Sequence, residues 1–284
     1  MKTLNSIAEY RKAISTFRSE QKTVGFVPTM GFLHEGHLSL VRECKKENDV
    51  VVVSIFVNPT QFGEGEDFGS YPRSLDKDIK LLEAEGVDFL FAPSVGEMYE
   101  KGFSTKVSVG GLTEYLCGSS RPGHFDGVAL VVTKLLNIIM PDTAYFGMKD
   151  YQQLQVIKRF VRDLNMPTNI KGMPIMRDKD GLALSSRNSY LTPSERESAL
   201  CLNRSFNIVK ESLENGEKDA KQIIKLVQNF ITGFPYTKID YIEIVDPETL
   251  APLDRVDKDF LVALAVYVGK ARLIDNNIFT VIEC

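Results

Sequence analysis

The chain has 284 residues, of which 43% are hydrophobic and 25% charged, with a formal net charge of −4 and a pI near 5.6. That apolar share is enough for a large core, in one big domain or two. No stretch is a basic block, which excludes broad non-specific nucleic-acid binding and leaves room only for a local anion pocket.

The start, "MKTLNSIAEYRKAI", is polar and reads as a helix, so a signal peptide is not expected. "TVGFVPTM" (23–30) reads as a strand, and "GHLSLVRECKKEN" (36–48) follows with helical spacing at Leu38, Val41 and Cys44. "DVVVVSIFVN" (49–58) is a near-continuous β-branched run, the signature of a parallel strand buried on both faces. The linker "NPTQFGEGEDFGSYPRS" (58–74) is long for a βα connection, and a lid over a site is expected at 63–73. "SLDKDIKLLEAEG" (74–86) reads as a helix with Ser74 as N-cap and a terminal glycine. "VDFLFAP" (87–93) reads as a strand, "DGVALVVTKLLNIIM" (126–140) as an apolar helix, "TAYFGM" (143–148) as a strand and "DYQQLQVIKRFVRDLN" (150–165) as a helix. A further strand is expected at 170–176.

The texture changes near 176, where "RDKDGLALSSRNSYL" is polar and loop-like. Two helices (192–216 and 219–234) and then strands (238–246 and 259–275) follow. This pattern predicts an α/β domain with a parallel sheet over 1–176 and a smaller α+β domain over 177–284. The longest apolar run, 260–269, is half the ~20 residues of a membrane span and reads as a buried strand, so no membrane partner is expected. Cys44, Cys117, Cys201 and Cys284 are scattered with no paired spacing, which predicts reduced thiols in a cytoplasmic protein.

Parallel sheets bind ligands at the C-terminal ends of their strands. Four polar clusters fall there: "PTMGFLHEGH", "NPTQF", "KDYQQ" and "RDKDGLALSSRN". Together they predict one cleft. His34 and His37 flank Gly36 at a helix start, where imidazoles and free N–H groups suit phosphate oxygens. HxxH spacing also offers two zinc ligands, but no third Cys or His stands near, and helix capping without chemistry is the other reading. In "GMKD", Lys149 suits a phosphate, and Asp150 a ribose hydroxyl or a helix cap. "LSSRN" joins two hydroxyls to Arg187, whose planar fork matches phosphate oxygens. Gln61 and Gln153 are uncharged amides, able to hold a ligand with hydroxyls and a carboxylate.

"PTMGFLHEGHLSLV" resembles the HxGH signature of the nucleotidylyltransferase superfamily, shared with class I aminoacyl-tRNA synthetases. With "FVNPTQF", "YPR", "LCGSSRPGHFDGV", "FGMKDYQQL", "LSSRNSYL" and the ending "VGKARLIDN", the chain resembles the pantothenate synthetase (pantoate–β-alanine ligase) family along its length. The resemblance implies a Rossmann-like sheet with helices on both faces, and a smaller C-terminal α+β domain covering the site. It implies ATP-dependent joining of (R)-pantoate and β-alanine through pantoyl adenylate, releasing pyrophosphate and AMP. ATP would meet Met30, Gly31, Phe32, Leu33, His34, Glu35, Gly36 and His37. It would also meet Gly147, Met148, Lys149 and Asp150, with Met176 at the adenine and Leu184, Ser185, Ser186 and Arg187 as a second phosphate loop. The catalytic roles would fall to His37, His34, Lys149 and Arg187. Gln61 and Gln153 would hold pantoate, with Gln61 also near β-alanine. Pro28, Met30 and Phe62 would line the gem-dimethyl side, with Asn58 and Arg121 as weaker candidates. Lys77–Asp78 stands where some members have two adjacent acidic residues, so no protein metal ligand is expected, and Mg2+ would arrive on the ATP phosphates. A homodimer is also implied.

Another nucleotidylyltransferase would share HxGH and lack the paired glutamines. A silent nucleotide-binding protein would be expected to have lost His37, Lys149 or Arg187, and all three are present.

Overall fold

The computed structural model describes residues 1–281, and Cys284 lies outside the described residues. Its contacts divide into two compact units. The first comprises 1–109, 121–148 and 153–174, and the second comprises 110–120, 149–152 and 175–284. Two segments from the first 176 residues therefore pack with the C-terminal unit.

The first unit is built on a six-stranded sheet in which every pairing is parallel. Its strands are β1 (Lys2–Leu4), β2 (Val24–Thr29), β3 (Val50–Ile55), β4 (Phe89–Phe91), β5 (Thr143–Gly147) and β6 (Asn169–Met173). The helices met in chain order from β1 to β6 are α1 (Ile7–Ser19), α2 (Glu35–Glu47), α3 (Leu75–Glu85), α4 (Val95–Met98), α5 (Leu116–Ser120), α6 (His124–Ile139) and α7 (Tyr151–Asp163), of which α5 and the first two residues of α7 belong to the second unit. The strand order β1-β4-β3-β2-β5-β6 puts β2 between β3 and β5. Chain order runs outward to one side through β3 and β4 and to the other through β5 and β6, so the β2/β5 junction is the topological switch point. Val50, Val51, Val52 and Val53 are buried, as a doubly covered parallel strand requires. Val27, Leu40, Val41, Cys44, Val53, Leu82 and Leu90 form one core cluster here.

The N-terminal helix is shorter than its sequence reading. Residues 2–4 pair with β4 as an edge strand, and α1 starts only after Ser6, whose hydroxyl accepts from Glu9 N–H at 3.3 Å. Ser74 does precede α3, but its hydroxyl makes no cap bond. Gly86 ends α3 in the left-handed region, as expected.

The second unit carries α8 (Pro193–Ala199), α9 (Cys201–Glu214), α10 (Ala220–Thr232), β7 (Thr237–Val245), β8 (Phe260–Val268) and β9 (Ala271–Phe279). The single helix expected over 192–216 is two. Leu200, with ψ −17°, tightens one turn between α8 and α9, and no proline or glycine marks the break. The single strand expected over 259–275 is a hairpin, with Val268 paired to Ala271 across a two-residue turn. Gly269 in that turn has φ +56°, and a glycine closing a long apolar run was the available signal. The antiparallel sheet β7-β8-β9 packs α9 and α10 around Phe206, Val209, Ile223, Val227, Leu264 and Val266. Cys44 and Cys201 are buried, and burial pushes both thiols up to about 12. No helix among the described residues is long and apolar enough to cross a membrane.

Candidate active site

In the first unit, three of the predicted clusters leave neighbouring strands at the C-terminal edge of the sheet. β2 pairs with β5 at Gly25–Thr143 and Phe26–Ala144, and with β3 up to Thr29–Ile55. Met30–His37, Asn58–Phe62 and Gly147–Met148 therefore emerge side by side. The chain passes to the second unit between Met148 and Lys149, and returns before Gln153. Lys149, Asp150, Met176 and Leu184–Arg187 belong to the second unit, while Gln153 belongs to the first.

The first loop is held tightly. Gly31 N–H donates to the Thr29 hydroxyl, which donates to Ser54 O. Gly31 has φ +82°, and a Cβ there would crowd Ile55 and Asp78 at 3.0 and 3.1 Å, so glycine is required twice over. Phe32 follows with φ +51°. The next anchor is Asp78, 1% exposed, whose two carboxylate oxygens accept from Phe32 N–H and Leu33 N–H at 2.8 Å each. Burial pushes its carboxyl above the usual aspartate range, and the two N–H bonds pull the other way.

This loop delivers His34 as the residue before α2 and His37 within its first turn. Their rings lie 4.0 Å apart at 33°. His34 N–H donates to His37 Nδ1 at 3.4 Å. A ring nitrogen that accepts is unprotonated, which leaves Nε2 as the ring nitrogen suited to donate. Both imidazoles are half-buried at a helix N-terminus, an arrangement suited to anionic oxygens.

The second cluster turns on Gln61. Pro59–Gln61 is a single helical turn capped by Asn58, which is 1% exposed. Asn58 Nδ2 donates to Gln61 Oε1 and to Gly127 O, each at 3.1 Å, while Asn58 Oδ1 accepts from Tyr99 OH at 2.8 Å. Gln61 Nε2 reaches Met30 Sδ at 3.1 Å, which joins two of the predicted pantoate residues. A thioether is a weak acceptor, readily exchanged for a hydroxyl or carboxylate. Gly127 lets α6 approach this turn, because a Cβ there would lie 2.2 Å from Thr60 O. Arg121 pairs with Glu66 at 2.6 Å and donates to Gln61 O at 3.4 Å. His124 Nδ1 contacts the same carbonyl at 2.7 Å. Phe62 packs edge-on against Phe68 and Tyr71, so segment 63–73 folds back on its own start.

In the second unit, Lys149 lies 3.7 Å from Asp150 and lines a small pocket with Ser185, Asn188 and Asp275. The segment before Leu184–Arg187 is a narrow turn, with Arg177 bridged to Ala183 and Gly181 N–H donating to Asp178 O at 2.9 Å. Leu184 N–H donates to Met176 O at 2.9 Å, so the predicted adenine neighbour and the start of the second phosphate loop are joined. Ser185 Oγ caps the following turn by accepting from Arg187 N–H at 3.3 Å.

The sequence reading did not single out Asp78 as a loop anchor, nor Gly127 or Gln152. Gln152, 6% exposed, donates to Leu112 O and Tyr115 O and accepts from Cys117 N–H. It anchors 110–120 within the second unit, beside the candidate ligand Gln153. No local signal separates two adjacent glutamines. For Asp78, an acidic residue in an otherwise amphipathic helix was visible, but its partners lie 45 and 46 residues away.

A parallel sheet with a histidine-bearing helix start at its switch point defines a nucleotide-binding α/β protein that acts on phosphates. Comparison narrows the class. The family model for Pantoate-beta-alanine ligase matches residues 2–278, and the chain belongs to that family of ligases. It is 56% identical over 278 residues to a pantothenate synthetase of Thermotoga neapolitana, covering 98% of this chain and 99% of the relative. It is 54% identical over 281 residues to that of Moorella thermoacetica, covering 99% of each. Among solved structures, a pantothenate synthetase from Thermus thermophilus superposes with a TM-score of 0.92 at 47% identity, over 98% of this chain and 99% of that one. A Francisella tularensis pantoate-beta-alanine ligase, complexed with beta-gamma ATP and beta-alanine, gives 0.80 at 38% identity over 98% and 97%.

Proposed function

We propose that this ligase joins pantoate to β-alanine at the residues described above, in two steps. A pantoate carboxylate oxygen attacks the α-phosphorus of ATP. The new P–O bond forms as the bond to the bridging oxygen breaks, and pyrophosphate leaves. The β-alanine amine then attacks the acyl carbon. The C–N bond forms, the acyl C–O bond breaks, AMP leaves and the nitrogen gives up a proton. Adenylation is needed because a free carboxylate has no usable leaving group at neutral pH.

The observation that carries this reading is the Asn58–Gln61–Met30 chain beside the His34–His37 pair. The amide suits hydroxyls and a carboxylate, the imidazoles suit phosphate oxygens, and the two groups follow the paired strands β2 and β3. His37 Nε2–H donates to the α-phosphoryl oxygens as charge builds there, with His34 beside it. Gln61 and Gln153 hold pantoate, with Pro28, Met30 and Phe62 against its methyl groups, and Gln61 also serves β-alanine. Gly147, Met148 and Asp150 serve the ribose and phosphates, the backbone of Met176 serves the adenine, and Lys149 and Leu184–Arg187 take further phosphate oxygens.

Mg2+ is proposed as the ion that travels on the ATP phosphates, offsetting their charge. Each Asp78 oxygen accepts one backbone N–H. Among the described residues, no three His, Cys, Asp or Glu stand together at ligand spacing. The family resemblance further supports a cytoplasmic homodimer, which light scattering of the purified chain tests for the dimer.

The decisive assay is AMP release from ATP. It should need both pantoate and β-alanine, whereas ATP–pyrophosphate exchange should need pantoate alone. Exchange that proceeds equally without pantoate would return the chain to the wider nucleotidylyltransferases. Gln153→Ala should raise the pantoate KM about tenfold for one lost polar contact, and a change confined to the ATP KM would misplace the pantoate pocket.

A further inference from the structure

The ending "VGKARLIDN" enters the family resemblance without a role. In the structure its last two residues stand side by side on β9, Asp275 at 2% and Asn276 at 6% exposure. Polar side chains this deep are held by partners, and the partners here lead toward the nucleotide residues.

Asp275 accepts both Nη groups of Arg177, at 2.6 and 2.8 Å, and Asn276 N–H at 2.8 Å. Arg177 Nη1 also donates to Gly181 O at 3.2 Å. The guanidinium therefore ties Asp275 to the base and tip of the turn that joins Met176 to Leu184. Asn276 Nδ2 donates to Lys149 O at 2.8 Å. One dipeptide thus holds both the main chain of the phosphate lysine and the turn that leads into the second phosphate loop. Lys149, Ser185 and Asp275 line the same cavity.

We infer that Asp275 and Asn276 are positioning residues for the nucleotide. Asn276 sets the reach of Lys149, and Asp275 sets the Met176–Arg187 segment through Arg177. The inference rests on the proposed reading in which Lys149 and Leu184–Arg187 meet the ATP phosphates. A lysine head sits on a flexible four-carbon stem, so its place depends on how firmly its backbone is held. A misplacement of about 1 Å can cost up to roughly 100-fold in rate.

The test uses the full chain and pantoate-dependent ATP–pyrophosphate exchange. Asn276→Asp keeps the side-chain volume and removes the donor, and Asn276→Ala removes the side chain. Both should lower kcat about tenfold, the equivalent of one lost hydrogen bond, with the pantoate KM within about twofold. Combined with Lys149→Ala, Asn276→Ala should add no further loss, because it acts through that lysine. Asp275→Asn should raise the ATP KM about tenfold, and add nothing in an Arg177→Met background. A folded Asn276→Asp variant with wild-type kcat, or losses that multiply in the double variants, overturns the inference. Wild-type exchange by Lys149→Ala alone would instead refute the phosphate role of Lys149, and the Asn276 role would fall with it.

Discussion

The two loops assigned to phosphate are each held by a buried aspartate, yet by different chemistry. Asp78 grips the first loop by its main chain, through Phe32 N–H and Leu33 N–H. Asp275 reaches the turn that leads into the second through a side chain, the Arg177 guanidinium, which in turn holds Gly181 O. A carboxylate bonded straight to backbone leaves only the two torsions of the short aspartate side chain between its helix and the loop. An arginine places several between anchor and backbone. The first loop, carrying the histidines, is therefore the fixed member of the pair. The second is latched by ions, with Arg196 adding contacts to Asp178 and Asp180 near the turn's tip. The kind of donor an anchor engages decides how rigid its loop is, even where burial is the same.

The largest effect expected is on the fixed loop. His37→Ala should lower kcat by about 100- to 1000-fold, the usual loss for one donor aimed at developing charge, with the pantoate KM nearly unchanged. Because Asp78 holds the backbone whatever side chain stands at 37, the loss should not spread into ground-state binding. Steady-state kinetics check this, and unchanged turnover would remove His37 from the chemistry.

Next is stability. Asp78→Ala strands two backbone donors in a mostly dry place, at about 1–3 kcal/mol for a fully buried one, so a loss of about 2–4 kcal/mol is expected. Asp275→Ala leaves Arg177 with 25% of its side chain exposed, so water can take over part of the lost pairing. Urea unfolding of both variants should rank Asp78→Ala as the less stable. The reverse order would mean that the charge left behind, not the main-chain donors, dominates.

A third, smaller effect tests the Gln61 turn. Gly127→Ala sets a methyl 2.2 Å from Thr60 O, so either α6 or the Pro59–Gln61 turn must shift. The pantoate KM should rise about tenfold, for a shift of the kind that costs about 1.4 kcal/mol. A rise in the ATP KM alone would separate this turn from the acid site.

What could be read from sequence follows the range of the forces involved. β2 and β3 were legible because both faces of a central parallel strand must be apolar, and that is a local pattern. Gly86 was legible as a helix end for the same reason. The edge strand Lys2–Leu4 was not, since its three residues become a strand only by pairing with Phe89–Phe91. The β8–β9 hairpin was hidden because burial made β8 apolar on both faces and left its turn only Gly269 and Lys270, so the run read straight on into β9. In the candidate site, type and spacing were enough to nominate the histidines and "LSSRN". Asp78, Asp275 and Asn276 did not, because each acts on main chain or side chain far away in sequence, and an isolated acid or amide carries no sign of its partner.

The smallest effect expected separates the two anchors by pH. Burial raises the carboxyl of Asp78 above the ordinary range, against the pull of Leu33 N–H and Phe32 N–H, and burial likewise raises Asp275 against the pull of Arg177. A raised folded value means that the fold binds the proton more tightly than the unfolded chain does. The contribution of such a group is fully present below about pH 4 and is lost as pH rises through its folded value. Asp78→Asn removes that titration, so between pH 4 and 7 its urea midpoint should fall less than the wild type's, or not at all. Parallel curves for variant and wild type would show that Asp78 ionises in the fold as it does unfolded, and that its two N–H bonds fully offset burial. The same substitution at 275 is a less clean probe. It leaves the Arg177 charge without its carboxylate at every pH, so the whole curve should drop as well as flatten. A flattened curve at 78 and a lowered, flattened curve at 275 would show in one titration that neutral donors anchor the first loop and a charge anchors the second.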